Sequence, residues 1–132
     1  MRALSLCVVL TLASAAVGCR ATSTDITASG ANSPTIETGS LGTAVVGARV
    51  SIRGQVTGVQ DDSPYGHKLW VDDGTGEAQV FIDASTALIR HTNAWRVRDV
   101  LLVTGDVAKY QSLYELLPKL PSDIVLLERP EN

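Results

Sequence analysis

The stretch WVDDGTGEAQVFI, residues Trp70–Ile82, predicts a β-hairpin. Apolar and polar residues alternate on both sides of its centre, with the period of two that is typical of a half-buried strand. The centre is acidic and glycine-rich, and Asp-Gly pairs mark tight turns because glycine adopts positive φ at no steric cost. We therefore expect strands at His67–Asp72 and Glu77–Asp83, joined by a turn at Asp73–Gly76 that needs both of its glycines.

This register sorts the side chains of the hairpin into two faces. Trp70 lies opposite Gln79, and Lys68 lies opposite Phe81, so the two aromatic rings become diagonal neighbours on the outer face. The inner face carries only apolar side chains, which are Leu69, Val71, Ala78, Val80 and Ile82. The hairpin thus predicts a core on one side and a surface with two aromatic rings on the other.

Two further segments alternate with the same period. Ala48–Gln60 and Val100–Val107 each place apolar or small residues on one face and mostly polar residues on the other. The predicted inner faces consist of Val50, Ile52, Gly54, Val56 and Gly58 in the first segment and of Leu101, Val103, Gly105 and Val107 in the second. Glycines inside a strand mark a bend or bulge, as at the corner of a small barrel.

The rest of the domain contains a helix and a broken strand. Ala84–Ala94 lacks strand alternation and has Asp83 or Ser85 as a candidate N-cap, which predicts a short amphipathic helix. Its inner face would comprise Ala84, Ala87, Leu88, His91 and Trp95, with Trp95 as a plug of the barrel rather than a ligand contact. The last strand starts at Leu113, is interrupted by two prolines and resumes at Asp123, which is typical of a sheet edge or a barrel closure.

The order strand, strand, strand, helix, strand, strand resembles the OB-fold, an all-β, five-stranded Greek-key barrel with a helix between its third and fourth strands. The match rests on DDGTG (Asp72–Gly76), DVLLVTGDV (Asp99–Val107) and LYELLPKLPSDIVLL (Leu113–Leu127). These segments resemble OB domains of the tRNA-anticodon type, which bind nucleic acid, and the stand-alone OB modules found beside secreted nucleases. A periplasmic OB family that binds small ligands or cations is also similar. The resemblance covers nearly all of residues 41–127.

The resemblance implies a binding site on the outer surface of the second and third strands, between the loops after the first and fourth. Those loops would be Asp61–His67 and Lys109–Ser112. The candidate ligand-binding residues are Arg53, Gln55, Tyr65, Lys68, Trp70, Gln79, Phe81, Lys109 and Tyr110. Aromatic rings with cations between them would form a stacking platform for single-stranded nucleic acid or another extended polymer, such as an oligosaccharide. The alternative is that Trp70 and Phe81 are sheet packing or contact the segment before the domain.

The first 40 residues predict export and membrane attachment. Residues 1–18 have the layout of a secretory signal peptide, with Arg2 followed by an apolar run too short to span a bilayer. The ending AAVGC resembles a bacterial lipobox, which implies a palmitate-type lipid anchor on Cys19; a plain signal peptide cut at a nearby alanine is the alternative. Residues 20–40 are polar and without period, so we expect 19–40 to be a lipidated, flexible tether and 41–132 to be the OB-fold domain. By resemblance to enteric lipoproteins, Arg20 after the cysteine implies the bacterial cell envelope, periplasmic and attached to the outer membrane.

Composition and spacing weigh against several functions. The chain has 14 Asp and Glu against 11 Lys and Arg, a net charge of −3, whereas nucleic-acid binders are usually basic. The aspartates do not match EF-hand spacing, the two histidines lack partners at ligand spacing, and DDGTG lacks the end of a P-loop. We therefore expect no enzyme, cofactor or metal site. Two functions remain: a membrane-tethered module that binds single-stranded nucleic acid or another extended polymer, and a structural or adaptor envelope lipoprotein that binds a protein partner or small ligand.

Overall fold

The computed structural model describes residues 33–131 of the 132-residue chain. The predicted signal peptide, the predicted lipidation site Cys19 and residues 20–32 of the predicted tether lie outside the described residues. Within residues 33–131, no helix is long and apolar enough to cross a bilayer.

In the described part of the chain, one sheet of seven strands and three short 3₁₀ helices make up the domain. The strands are β1 (Thr35–Ile36), β2 (Arg49–Asp62), β3 (Gly66–Asp72), β4 (Glu77–Asp83), β5 (Val100–Tyr110), β6 (Leu113–Leu117) and β7 (Ile124–Glu128). The 3₁₀ helices are Thr38–Thr43, Ala87–Ala94 and Pro121–Asp123. The strand order is β1-β2-β3-β4-β6-β5-β7, and β2 also pairs with β5, so that β2 to β6 form a partly closed ring.

The predicted hairpin is confirmed in position and register. Trp70 pairs with Gln79 and Lys68 pairs with Phe81 across the antiparallel strands β3 and β4. The two glycines of the turn have positive φ angles of 101° and 146°, a conformation that residues with a side chain disfavour. All five predicted inward side chains of the hairpin belong to the buried core. The local pattern is therefore sufficient to define both faces of this hairpin.

The predicted inner face of the first strand is correct up to Val56 and wrong at Gly58. Val50, Ile52 and Val56 are buried, but the register of β2 against β3 shifts between Val56 and Gly58. The bulge turns the following residues over, so that Gly58 pairs with Trp70 on the outer face. A Cβ on Gly58 would lie 3.3 Å from Cε3 of the indole. The glycine thus leaves room for the tryptophan ring instead of facing the core.

The single broken strand predicted at the C-terminal end is two strands, which raises the count from five to seven together with β1. Both pair antiparallel with the long strand β5: β6 with its second half and β7 with its first half. Between them the chain leaves the sheet and makes the 3₁₀ turn Pro121–Asp123. Because proline cannot donate to a ladder, the prolines separate the two pairings, as the sequence indicated.

The predicted helix is present in a different form. It is a 3₁₀ helix that begins at Ala87, after a turn in which Asp83 Oδ1 accepts hydrogen bonds from Ser85 N at 2.8 Å and Ser85 Oγ at 2.6 Å. Of the predicted inner face, Leu88 and Trp95 are buried in the core, as expected, whereas the other three residues, Ala84, Ala87 and His91, are exposed. A 3₁₀ helix has three residues per turn, so the 3.6-residue period used to choose that face does not apply.

The folded domain begins before Leu41, so the end of the predicted tether is part of it. Thr35 and Ile36 pair in parallel with Ser51 and Ile52 of β2. Thr38 is 1% exposed, and its hydroxyl donates to Asp73 Oδ1 at 2.8 Å. A polar segment without periodicity gives no signal of such packing, because its partners lie 35 residues away in the hairpin turn.

Candidate functional site

The outer faces of β3 and β4 form the floor of a cleft of about 640 Å³. Its volume lies within the range of small-molecule sites, roughly 300–1,000 Å³. Five of the nine predicted site residues line it, namely Tyr65, Lys68, Gln79, Phe81 and Tyr110. The hairpin register and the two predicted loops thus meet at one place, as the resemblance implied.

The two loops place one tyrosine at each side of this cleft. Tyr65 lies in the turn between β2 and β3, and Tyr110 ends β5. They are 71% and 65% exposed, so neither ring is needed to fill the core. Phe81 is half-buried in the floor between them. Three aromatic side chains therefore face a common open space.

Six further cleft residues were missed by the sequence analysis. They are Asp62, Asp83, Gln111, Ser112, Leu113 and Glu115. Three of them lie inside the predicted loops, namely Asp62, Gln111 and Ser112, so the loop boundaries were enough to predict that they border the cleft. Glu115 reaches the cleft because β6 pairs in parallel with β4, which sets Glu115 beside Gln79, and no local pattern reveals that pairing.

The cleft is acidic, with one lysine against three carboxylates among its lining residues. Lys68 Nζ lies 3.6 Å from Asp62 Oδ2, and Gln79 Nε2 donates to Glu115 Oε1 at 2.9 Å. The hydroxyl and amide of Ser85 donate to Asp83 and lower the pKa of that carboxyl, so Asp83 is charged at neutral pH. The site therefore offers aromatic faces and hydrogen-bond acceptors rather than a track of positive charge.

Trp70 borders a second, smaller groove of about 290 Å³ beside the 3₁₀ segment Thr38–Thr43. Gln79 and Leu113 line both spaces and stand between them. The structure thus does not bring Trp70 and Phe81 into one cleft. Trp70 instead lies over Gly58, and it lines the second groove together with Thr38 and Gly39 of the segment that precedes the predicted domain.

The three remaining candidates lie elsewhere on the surface. Lys109 Nζ sits 5.2 Å from the centre of the Tyr114 ring, within the range of a cation–π contact. Arg53 pairs with Leu102 of β5, and Gln55 Nε2 donates to the carbonyl of Arg98 at 3.4 Å. None of the three lines the main cleft.

In residues 33–131, no cluster of three or more His, Cys, Asp or Glu side chains has the proximity required to hold a metal ion.

Comparison with known proteins gives the fold. No family model matches the chain, and no curated protein matches it. The solved structure of OBody AM1L10 bound to hen egg-white lysozyme is similar with a TM-score of 0.63 and 21% identity over 74% of this chain and 97% of that one. The described domain is OB-like. The S. pombe Stn1-ten1 complex matches with a TM-score of 0.53 and 21% identity over 62% of this chain and 60% of that one. A Replication Protein A heterotrimer bound to ssDNA matches with a TM-score of 0.50 and 15% identity, over 67% of this chain and 63% of that one.

Proposed function

We propose that this OB-like domain is a binding module, not an enzyme, and that it takes single-stranded nucleic acid in its cleft. The observation that carries the proposal is the grouping of Tyr65, Phe81 and Tyr110 around one open space on the outer face of β3 and β4. The similarity in fold to one chain of a Replication Protein A heterotrimer, a complex bound to ssDNA, supports it. Every base has a π-face, so aromatic rings at this face can hold successive bases without a strict sequence requirement.

The charge of the cleft predicts how such a ligand binds. Stacking contributes roughly 1–3 kcal/mol per base, whereas Lys68 is the one cation among the lining residues in the described chain. With about −0.7 in the slope of log affinity against log salt for each phosphate contact on a single strand, one or two contacts give a slope near −1. We expect modest affinity that depends weakly on salt.

The test is a titration of the purified protein against a short, fluorescently labelled single-stranded oligonucleotide at two salt concentrations. Tyr65→Ala and Tyr110→Ala should each weaken binding about tenfold, because each removes one stacking surface. Val45→Ala is the control, since Val45 is 76% exposed and does not line the cleft. The proposal is wrong if no binding appears at low salt, or if the tyrosine variants bind as the control does.

A second candidate is an adaptor that binds a protein partner through the same cleft. The excess of carboxylates among the lining residues favours it, because a basic peptide segment complements that charge. The structures of OBody proteins bound to hen egg-white lysozyme show that a similar scaffold can hold a protein. Titration with a labelled arginine-containing decapeptide separates the two candidates, since only this one predicts tighter binding of the peptide than of the oligonucleotide.

We also propose that the module is held at the bacterial envelope by lipid on Cys19, on the periplasmic side of the outer membrane. The sequence AAVGC and the polar segment after it support this placement. Labelled palmitate should enter the wild-type protein and the Cys7→Ser control, and it should be absent from Cys19→Ser. Equal labelling of both variants, or no labelling of the wild type, contradicts the anchor.

A further inference from the structure

Two hydrogen-bond acceptors in the floor of the cleft have no donor. Gln79 is 9% exposed, and its side-chain nitrogen donates to Glu115 Oε1 at 2.9 Å. A carboxylate has no proton to give, so this bond fixes the amide with its nitrogen toward Glu115. The amide oxygen of Gln79 and the second carboxylate oxygen of Glu115 then accept no hydrogen bond from any residue in the range 33–131.

The other two carboxylates of the cleft are less buried than Gln79, and each has a partner on one oxygen. Asp83 is exposed and accepts two hydrogen bonds from Ser85 at Oδ1, and Asp62 Oδ2 lies 3.6 Å from the amine of Lys68. Gln79 is buried and Glu115 is half-buried. A buried acceptor without a partner, such as the amide oxygen of Gln79, is unfavourable because it has lost its hydration and gained nothing in return. The ligand that best fits this floor therefore brings two N–H donors side by side, on a flat body that the aromatic rings can cover.

We propose that the cleft selects guanine, an inference that rests on the nucleic-acid function proposed above. Unstacked bases are read on their Watson–Crick edges while aromatic side chains cover their faces. The guanine edge presents N1–H and the 2-amino group next to each other, which matches the acceptors of Glu115 and Gln79. Adenine and cytosine place a ring nitrogen acceptor beside their amino group, and thymine flanks its single N–H with two carbonyls. Each of these three bases sets a lone pair against an acceptor of the floor.

An arginine side chain also carries coplanar donors, but two features of the cleft favour the base. The cleft volume of about 640 Å³ is larger than one guanidinium group fills, and the three aromatic side chains offer more stacking surface than that group covers. Lys68, whose side chain is 27% exposed at the same cleft, can pair with the phosphate of a nucleotide, a contact that an arginine side chain does not offer.

The experiment uses the full-length protein and labelled dT10 in which one central position is changed to dG, dA or dC. We expect the single dG to raise affinity about tenfold over dT10, since a good bidentate contact discriminates bases by roughly that factor or more, while dA and dC leave it near that of dT10. Deoxyinosine, which keeps N1–H and lacks the 2-amino group, should lose most of the gain. This change of base tests the hydrogen bonds to the floor of the cleft without any change to the protein.

Two variants with equal charge changes complete the design. Glu115→Gln should abolish the preference for dG, while Glu128→Gln makes the same exchange at an exposed residue that does not line the cleft and should keep it. Equal affinity for all four oligonucleotides overturns the inference and leaves the proposed function standing. Loss of binding to every oligonucleotide overturns both. Binding of an arginine peptide that depends on Glu115, with no binding of dG, assigns the acceptors to a guanidinium and likewise overturns the inference.

Discussion

Replacement of Gly105 by alanine perturbs the point at which the ring of strands closes. A Cβ on this residue of β5 would lie 2.6 Å from the carbonyl carbon of Leu117 and 2.7 Å from the nitrogen of Pro118. Both are backbone atoms at the end of β6, so they cannot move aside as the tip of a flexible side chain does. The sequence places Gly105 on the inner face of its strand, and the structure shows that even one methyl group there collides with the main chain.

The expected change in the free energy of unfolding for Gly105→Ala follows from two opposed effects. Overpacking of this kind lowers the free energy of unfolding by about 1–3 kcal/mol, whereas the smaller entropy of an unfolded chain with alanine raises it by about 0.4–1 kcal/mol. Gly42→Ala isolates the second effect, because a Cβ there would lie 4.0 Å from its nearest neighbour, Cδ1 of Tyr114. The entropy gain is common to both variants, so Gly105→Ala should be less stable than Gly42→Ala by about 1–3 kcal/mol.

Urea denaturation of the two variants, followed by circular dichroism, measures this difference. With a slope of about 1–3 kcal/mol per molar urea, the midpoints should differ by about 1 M. Thermal unfolding gives a second reading, with a shift of about 4–8 °C for each kcal/mol in a domain of this size. Equal midpoints for the two variants would show that the chain after β6 does not pass against Gly105 as described.

Three further predictions concern the polar contacts that hold the ends of the domain. Arg129→Ala should lower the free energy of unfolding, measured in urea, by about 1–3 kcal/mol. It leaves Asp99, which is 1% exposed, without its two hydrogen bonds of 2.8 and 2.6 Å from the guanidinium group. Arg53→Ala, at an exposed position, is the control and should change the free energy of unfolding little. The same bonds hold the pKa of Asp99 below its ordinary range. Their contribution to stability is therefore full above the usual pKa of an aspartate and is lost as the pH falls through the lower pKa of the folded state. Acid titrations of stability should therefore show a steeper loss below about pH 4 in the wild type than in Arg129→Ala, and parallel curves would refute this. A chain that begins at Ser33 should unfold at a higher urea concentration than one that begins at Leu41, since only the first keeps the hydrogen bond from Thr38 to Asp73. Equal midpoints would mean that residues 33–40 add no stability.

The sequence by itself determined the parts of the fold that depend on neighbours along the chain. The register of the hairpin and its two faces follow from a period of two and a glycine turn, and both are local properties. The exposed tyrosines of the cleft, Tyr65 and Tyr110, could be named because they lie in the loops that separate such strands. The break in the last strand was readable for the same reason, since proline removes a donor wherever it stands.

Only the tertiary structure decided which of these pieces meet. The glycines of β2 indicate a bend or bulge, but only the pairing with β3 shows that the register shifts before Gly58, which places that residue under Trp70 and on the other face. Thr38 becomes a buried residue through a partner 35 positions away, and Gln79 meets Glu115 across 36 positions by a parallel pairing. Contacts at such separation are chosen by the closure of the ring as a whole, where burial and hydrogen bonding of many strands are satisfied together. For that reason the aromatic residues of the cleft can be named from the sequence, whereas the position of the acceptors Gln79 and Glu115 between them follows only from the fold.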